Sequence, residues 1–190
     1  MSGWIIAGLG NPGLQYEKTR HNIGFRILDA YALSHGGRWN YDAYFNGMVA
    51  KVSEPINQIL VKPLTYMNES GLCLGKVCRY FKLLPTSLLV VCDDASLDFG
   101  RAKLSVGGGD SSHNGLKSVS SHLGRDYVRY RVGIGSPLPG VVLADFVLNN
   151  FRQEESDQLT ASMPKFLKDI ELIIDKGSNN AMNFINQKSN

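Results

Sequence analysis

Apolar positions along this chain follow two rhythms: short runs that suit strands, and three-to-four spacing that suits helices. Residues 4–9 form an apolar run ended by Gly-Asn-Pro-Gly, which predicts a buried strand entering a turn. Over 22–34, Ile23, Phe25, Ile27, Ala30 and Leu33 recur at helical spacing until Gly36-Gly37 stops them. Paired strands are expected at 46–52 and 58–61, with Pro55 and Asn57 between them. A second helix, 68–83, rests on Leu72, Val77, Tyr80 and Phe81 and ends before Pro85. The strand 87–92 closes on Asp93-Asp94, and 102–106 alternates before meeting three glycines. A third helix is expected at 112–123, with Ser111 or Ser112 as its N-cap, and a further strand at 127–135.

Residues 153–176 read as an amphipathic helix on Leu159, Met163, Phe166, Leu167, Ile170, Ile173 and Ile174, stopped by Gly177. Pro164 lacks an amide donor and is expected to kink or divide it. A short helix, 181–185, closes the series. This alternation argues for an α/β fold: a single domain over 1–190, with a mixed twisted β-sheet flanked by helices. The 43% of hydrophobic residues is enough for a substantial core in a chain of 190.

No stretch approaches the roughly 20 apolar residues that cross a bilayer, so no membrane association is expected. The start, MSGWIIAGLGNPG, has no basic segment ahead of a long apolar run and does not read as a signal peptide. Cys73, Cys78 and Cys92 are an odd number, two of them in a helical pattern; they read as buried hydrophobes in a reducing cytoplasm. The net charge of +3 is concentrated. Arg101, Lys103, Lys117, Arg125, Arg129 and Arg131, set against Asp110 and Asp126, give this stretch +4 and leave −1 for the rest. Such a stripe fits a polyanion partner, and charge alone equally allows a solvated face.

Four stretches place Asn, His or Asp where apolar runs end: GLGNPGLQYEKTRHNIGF (8–25), KPLTYMNESG (62–71), VVCDDASLDFG (90–100) and GGGDSSHNGLK (107–117). The first contains G-x-G-x-x-G, the dinucleotide-binding pattern, which needs a helix starting inside the motif to hold a pyrophosphate. Here Pro12 has no amide, a polar segment follows, and no acidic residue ends a second strand about 20 positions on. That reading does not fit. Taken singly, His21, Asn68 and Asn114 are ordinary helix-start residues and Asp93 an ordinary turn residue. Together they suit one crevice, because parallel strand ends and helix starts meet there.

In such a crevice His21 is the candidate base, since imidazole ordinarily exchanges a proton near neutrality. Asp93 is the candidate carboxylate to fix its tautomer. Asn11, Asn68 and Asn114 offer amide donors to a developing oxyanion and to substrate. No serine or cysteine lies in a nucleophile elbow, so activated water is the simpler chemistry. The histidines form no H-x-x-x-H pair and the cysteines no C-x-x-C, so neither metal nor cofactor is expected.

The motifs GLGNPGxxYxxTRHNIGF, KPLTYMNESG, a strand ending in Asp93, and GGGxxxHNGLKS followed by YRVGIG resemble the bacterial peptidyl-tRNA hydrolase family, in order and over roughly residues 3–150. The resemblance implies a cytoplasmic, usually monomeric, metal-independent esterase that cleaves peptide from the 3′-ribose of tRNA, on a phosphorylase/hydrolase-like α/β fold. By position it makes His21 the base and Asp93 its orienting carboxylate. It assigns Asn11, Tyr16, Met67, Asn68, His113 and Asn114 to the peptide and ester pocket, and Lys103 and Arg131 to tRNA phosphate. Where the family usually reads GGGHGGHNG, this chain has Asp110-Ser111-Ser112 before His113, and the added carboxylate is expected to weaken tRNA binding or loosen the loop. Ser105 replaces a common lysine, and Ser136-Pro137-Leu138-Pro139-Gly140 replaces a usual HPG. Two rivals stand beside the hydrolase: a non-catalytic RNA-binding relative, and a small-molecule esterase using the same His–Asp–water arrangement.

Overall fold

The alternating pattern forms strand β1 (Trp4–Gly8), helix α1 (Ile23–Ser34), strands β2 (Asn40–Asp42), β3 (Gly47–Val52) and β4 (Gln58–Pro63), and helix α2 (Ser70–Phe81). Strands β5 (Leu88–Asp94) and β6 (Ala102–Val106), helix α3 (Asn114–Leu123) and strand β7 (Val128–Gly133) follow. Helices α4 (Leu143–Leu148), α5 (Gln153–Lys176) and α6 (Ser178–Ile185) complete the series. The computed structural model describes residues 3–187; residues 1, 2 and 188–190 of the expected domain lie outside the described residues.

The strands form one sheet of seven in the order β2-β3-β4-β1-β5-β7-β6. Its centre, β4-β1-β5-β7, is parallel, and β2, β3 and β6 add antiparallel edges. The expected mixed sheet between helices is what forms. Period two sorts the side chains of β1 and β5 onto two cores. Ile6, Leu89 and Val91 join the layer of α1, α5 and α6. Ile5, Ala7, Leu88, Val90 and Cys92 join the layer of α2 and α3. Asp93 continues the series of Leu89 and Val91, which aims its carboxylate toward the side of α1. The chain leaves β1 toward β4 on one side and β5 on the other, so the carboxyl ends of these strands open the crevice expected at a switch of direction.

Three differences from the pattern have physical causes. The helix expected to kink or divide at Pro164 runs unbroken through it as α5. An interior proline, which removes one ladder bond and crowds the carbonyl of the preceding turn, costs about 3 kcal/mol. Leu159, Phe166, Ile170, Ile173 and Ile174 bury fully or nearly so along this helix, and each contributes about 1.5–3 kcal/mol. Two elements too short to show a period, β2 and α4, form where the pattern indicates none. The first helical turns of the second and third helices are replaced by Met67–Glu69 in 3-10 form and by a loop ending at His113. No helix among the described residues is long and apolar enough to cross a membrane.

Candidate active site

His21 lies in a single 3-10 turn, Arg20–Asn22, that leads directly into α1. Two glycines let that helix start approach the sheet. A Cβ added at Gly24 would lie 2.5 Å from both the Leu9 amide nitrogen and the Val91 carbonyl oxygen, and one at Gly8 would collide with the Gly24 carbonyl. The close approach brings His21 Nδ1 to 2.8 Å from Asp93 Oδ1. Asp93 is 3% exposed. Burial alone would push its carboxyl up, but the imidazoles of His113 and His21 outweigh burial and hold it well below the usual carboxylate range. An ionised carboxylate only accepts, so His21 donates through Nδ1 and its Nε2 keeps a free lone pair.

The second imidazole, His113, is expected from the sequence only among the substrate-binding residues. His113 Nε2 stands 3.0 Å from the same Asp93 oxygen, and the two rings lie 4.9 Å apart. His113, not Ser111 or Ser112, caps α3: its Nδ1 accepts from the amides of Gly115 and Leu116 at 3.1 and 3.3 Å. Those two donors leave no room for a proton on Nδ1, so the proton sits on Nε2 and points at Asp93. His21, Asp93 and His113 have the spacing of a metal-ligand trio, with ligand atoms all within 4.8 Å. Both rings nevertheless turn N–H groups, not lone pairs, toward the carboxylate, an arrangement built for hydrogen bonding.

Asn11 is fixed on three sides. The Asn22 side chain accepts from the Asn11 amide and donates to its carbonyl, both at 2.9 Å, and Asn11 Oδ1 accepts from the Met67 amide at 2.7 Å. With its oxygen engaged, the Asn11 NH2 group is the part left to act as a donor. Asn22 escaped the sequence reading, although it follows His21 directly. Asn68 and Asn114 are exposed on the cleft wall, and neither caps a helix. Met67 is buried beneath them. Tyr16 is not brought to the cleft; half-buried in the turn Leu14–Tyr16, it uses its carbonyl to hold Thr19.

The cleft has a volume of about 530 Å³ and joins His21, Asp93, His113, the three asparagines, Met67 and Arg131. Leu143, Ala144, Val147 and Leu148 of α4 form an apolar wall. Arg20, another residue the sequence reading passed over, seats that wall. Its guanidinium donates to the carbonyls of Phe146, Asn149 and Asn150, pairs with Glu155 at 2.8 Å, and lies 4.4 Å from the centre of the Phe146 ring.

The basic stripe divides. Lys103 and Arg131 are direct cross-strand partners of β6 and β7, with Lys103 exposed and Arg131 on the cleft wall. Arg131 pairs with Asp94 at 2.9 Å. Arg129 is 1% exposed and leaves the stripe altogether. It pairs with Asp110 at 3.0 Å, so the Asp110 carboxylate is compensated and does not stand as a free charge before a polyanion. The three cysteines are buried and unpaired, as expected, and burial raises the thiols of Cys73 to about 12 and Cys78 to about 11. None is an available nucleophile.

A model described as peptidyl-tRNA hydrolase matches residues 5–190. The peptidyl-tRNA hydrolase of Gloeobacter violaceus is 41% identical over 187 residues, covering 97% of this chain and 94% of the relative. That of Bartonella quintana is 38% identical, covering 90% and 89%. The crystal structure of the Acinetobacter baumannii peptidyl-tRNA hydrolase superposes with a TM-score of 0.92 at 31% identity, over 98% of this chain and 95% of the other. Matched over nearly its whole length in sequence and in fold, the chain belongs to the peptidyl-tRNA hydrolase family.

Proposed function

We propose that this protein hydrolyses the ester between a peptide and the 3′-ribose of tRNA, using water activated by His21. The observation that carries the reading is the His21 Nδ1–Asp93 bond of 2.8 Å, which leaves Nε2 as a base beside the cleft. Nε2 takes a proton from water while the water oxygen bonds to the ester carbonyl carbon. The negative charge moving onto the carbonyl oxygen meets NH2 groups from the asparagine set, Asn11, Asn68 and Asn114. Collapse breaks the carbon–ribose oxygen bond, and the imidazolium returns its proton to the ribose oxygen. Free peptide acid and tRNA with an intact 3′-hydroxyl leave. Asp93, ionised and buried, stabilises the imidazolium between the two transfers.

Substrate preference follows from the same donors. A peptide group is neutral and can both donate to and accept from side-chain amides, whereas the ammonium of an aminoacyl ester has donors only and a charge whose hydration is costly to lose. Lys103 and Arg131 are assigned to tRNA phosphate. Like charges directly opposed across strands repel, and a bound anion relieves that repulsion. Buried free thiols suit the cytoplasm. The test is multiple-turnover release of peptide from an N-blocked aminoacyl-tRNA with chelator present, wild type beside His21→Ala. Rapid release lost in the variant supports the hydrolase. Binding without release would favour the non-catalytic RNA-binding relative, and a rate indifferent to salt the small-molecule esterase.

A further inference from the structure

Asp110 stands where three constraints cross. Its carboxylate accepts from Ser120 Oγ at 2.6 Å and from Arg129 Nη2 at 3.0 Å, and lies 3.8 Å from Arg125. Its backbone carbonyl accepts the His113 amide at 3.1 Å. Arg129 in turn lies 4.2 Å from the centre of the Tyr127 ring, whose hydroxyl contacts Ser120 at 3.1 Å. One residue thus ties the loop 107–113 both to the strand β7 beneath it and to the histidine at its end.

Elsewhere the loop is held at its ends, by the Gly107 amide donating to the Tyr127 carbonyl at 3.1 Å and by His113 at the start of α3. Gly107, Gly108 and Ser111 all have positive φ, and Ser111, at +50°, is a side-chain-bearing residue in the left-handed region. Such a conformation persists only where its surroundings over-determine it. The same loop supplies Ser111, Ser112 and His113 to the cleft. Buried Arg129 also has Nε and Nη1 without hydrogen-bond partners, so Asp110 supplies its counter-charge almost alone. A cation so placed holds its one strong partner firmly, because separation would strand a charge away from water.

We propose that Asp110 is a positioning residue for this site: latched to Arg129 and Ser120, it fixes the loop so that His113 reaches Asp93 and the Ser111–Ser112 wall faces the substrate. It touches no reacting atom. It acts through His113, which shares the Asp93 oxygen with His21 and limits how that carboxylate can turn. The inference rests on the hydrolase reading for its kinetics and on geometry alone for its structure.

The experiment is a kinetic cycle of wild type, Asp110→Ala, His113→Ala and the double variant, assayed on N-blocked aminoacyl-tRNA. Asp110→Ala is expected to lower kcat about tenfold, a size ordinary for residues in contact, with KM changed less than about threefold. The double variant should be no slower than His113→Ala, because the effect passes through His113. Asp110→Asn, which keeps an acceptor and loses the charge, should fall between. Where Asp110→Ala fails to fold because Arg129 is left unpaired, Asp110→Ala with Arg129→Met removes both buried charges and must show the same loss of kcat. Additive losses in the cycle, an unchanged kcat in either folded variant, or a change confined to tRNA affinity and its salt dependence would overturn the proposal. The His113 imidazole N–H resonance gives a readout independent of turnover and should lose its carboxylate-bonded position in Asp110→Ala. A resonance that shifts in Asp110→Ala, alongside wild-type protein that releases no peptide, would sink the hydrolase reading and leave the latch standing. An unmoved resonance sinks the latch.

Discussion

At the floor of the cleft, His21 and Asp93 are carried by a helix start and a strand end pressed together through Gly8 and Gly24. At its rim, the segment 107–113 has no regular structure, carries the exposed Ser111 and Ser112 before His113, and is tied to β7 through the Asp110–Arg129 ion pair. Asn11 on the floor spends its backbone and its oxygen on fixed partners, whereas Asn68 and Asn114 stand exposed. The contrast teaches a division of labour. The proposed proton-transfer pair needs one geometry and sits on packed backbone, while the groups proposed to admit and release a long substrate sit on segments whose opening disturbs little of the core.

The sharpest test of the floor is His21→Ala. It should lower kcat by about 10²–10⁴ and leave tRNA affinity nearly unchanged, as compared by turnover and filter binding; a variant keeping most of its rate removes His21 as the base. Asn114→Ala probes the rim and should cost kcat about 10² if its amide meets the oxyanion. A change in KM alone would place it on the substrate instead. Gly24→Ala attacks the floor without touching chemistry. The added methyl has no space, so overpacking should destabilise the fold by about 1–3 kcal/mol, read from urea midpoints, and should lower kcat as His21 is displaced. An unperturbed variant would mean the close approach is not required.

Smaller still is Lys103→Ala. It should reduce the slope of log affinity against log salt by about one with kcat at saturation unchanged; an unaltered slope takes Lys103 out of the phosphate path. The last expectation is an absence. Because the Asp93 carboxyl is lowered, the stability it contributes is complete above the ordinary carboxylate value, about 3.9, and is lost only as pH falls below it. Between pH 5 and 8, Asp93 should therefore add no limb to kcat/KM. The stability difference between wild type and Asp93→Asn should shrink only under strong acid, as followed by denaturation at several pH values.

Much of this architecture was legible in the chain. The run 4–9, the helical spacing of 22–34 and the apolar strand ending on Asp93 each carry their period locally, and each forms close to where the pattern places it. The resemblance placed His21, Asp93 and the asparagines at one site, and the cleft contains them. Tyr16 is the exception, and a half-buried turn residue gives no local sign of whether it will reach a cleft. Arg129 shows the limit more clearly. Alternation along β7 gives it the same face as Arg131, yet one is buried against Asp110 and the other borders the cleft.

The sequence by itself determined which segments become strands and helices, because periodicity and turn chemistry act over a few residues, and it named the chemistry by motif. Only the tertiary structure decided which charges are spent and which remain free. Arg20 reaches Glu155, Arg129 reaches Asp110, and two histidines converge on one Asp93 oxygen. Those pairings join residues far apart along the chain, and they exist because burial forces every charge in the core to find a partner among whatever the fold brings near.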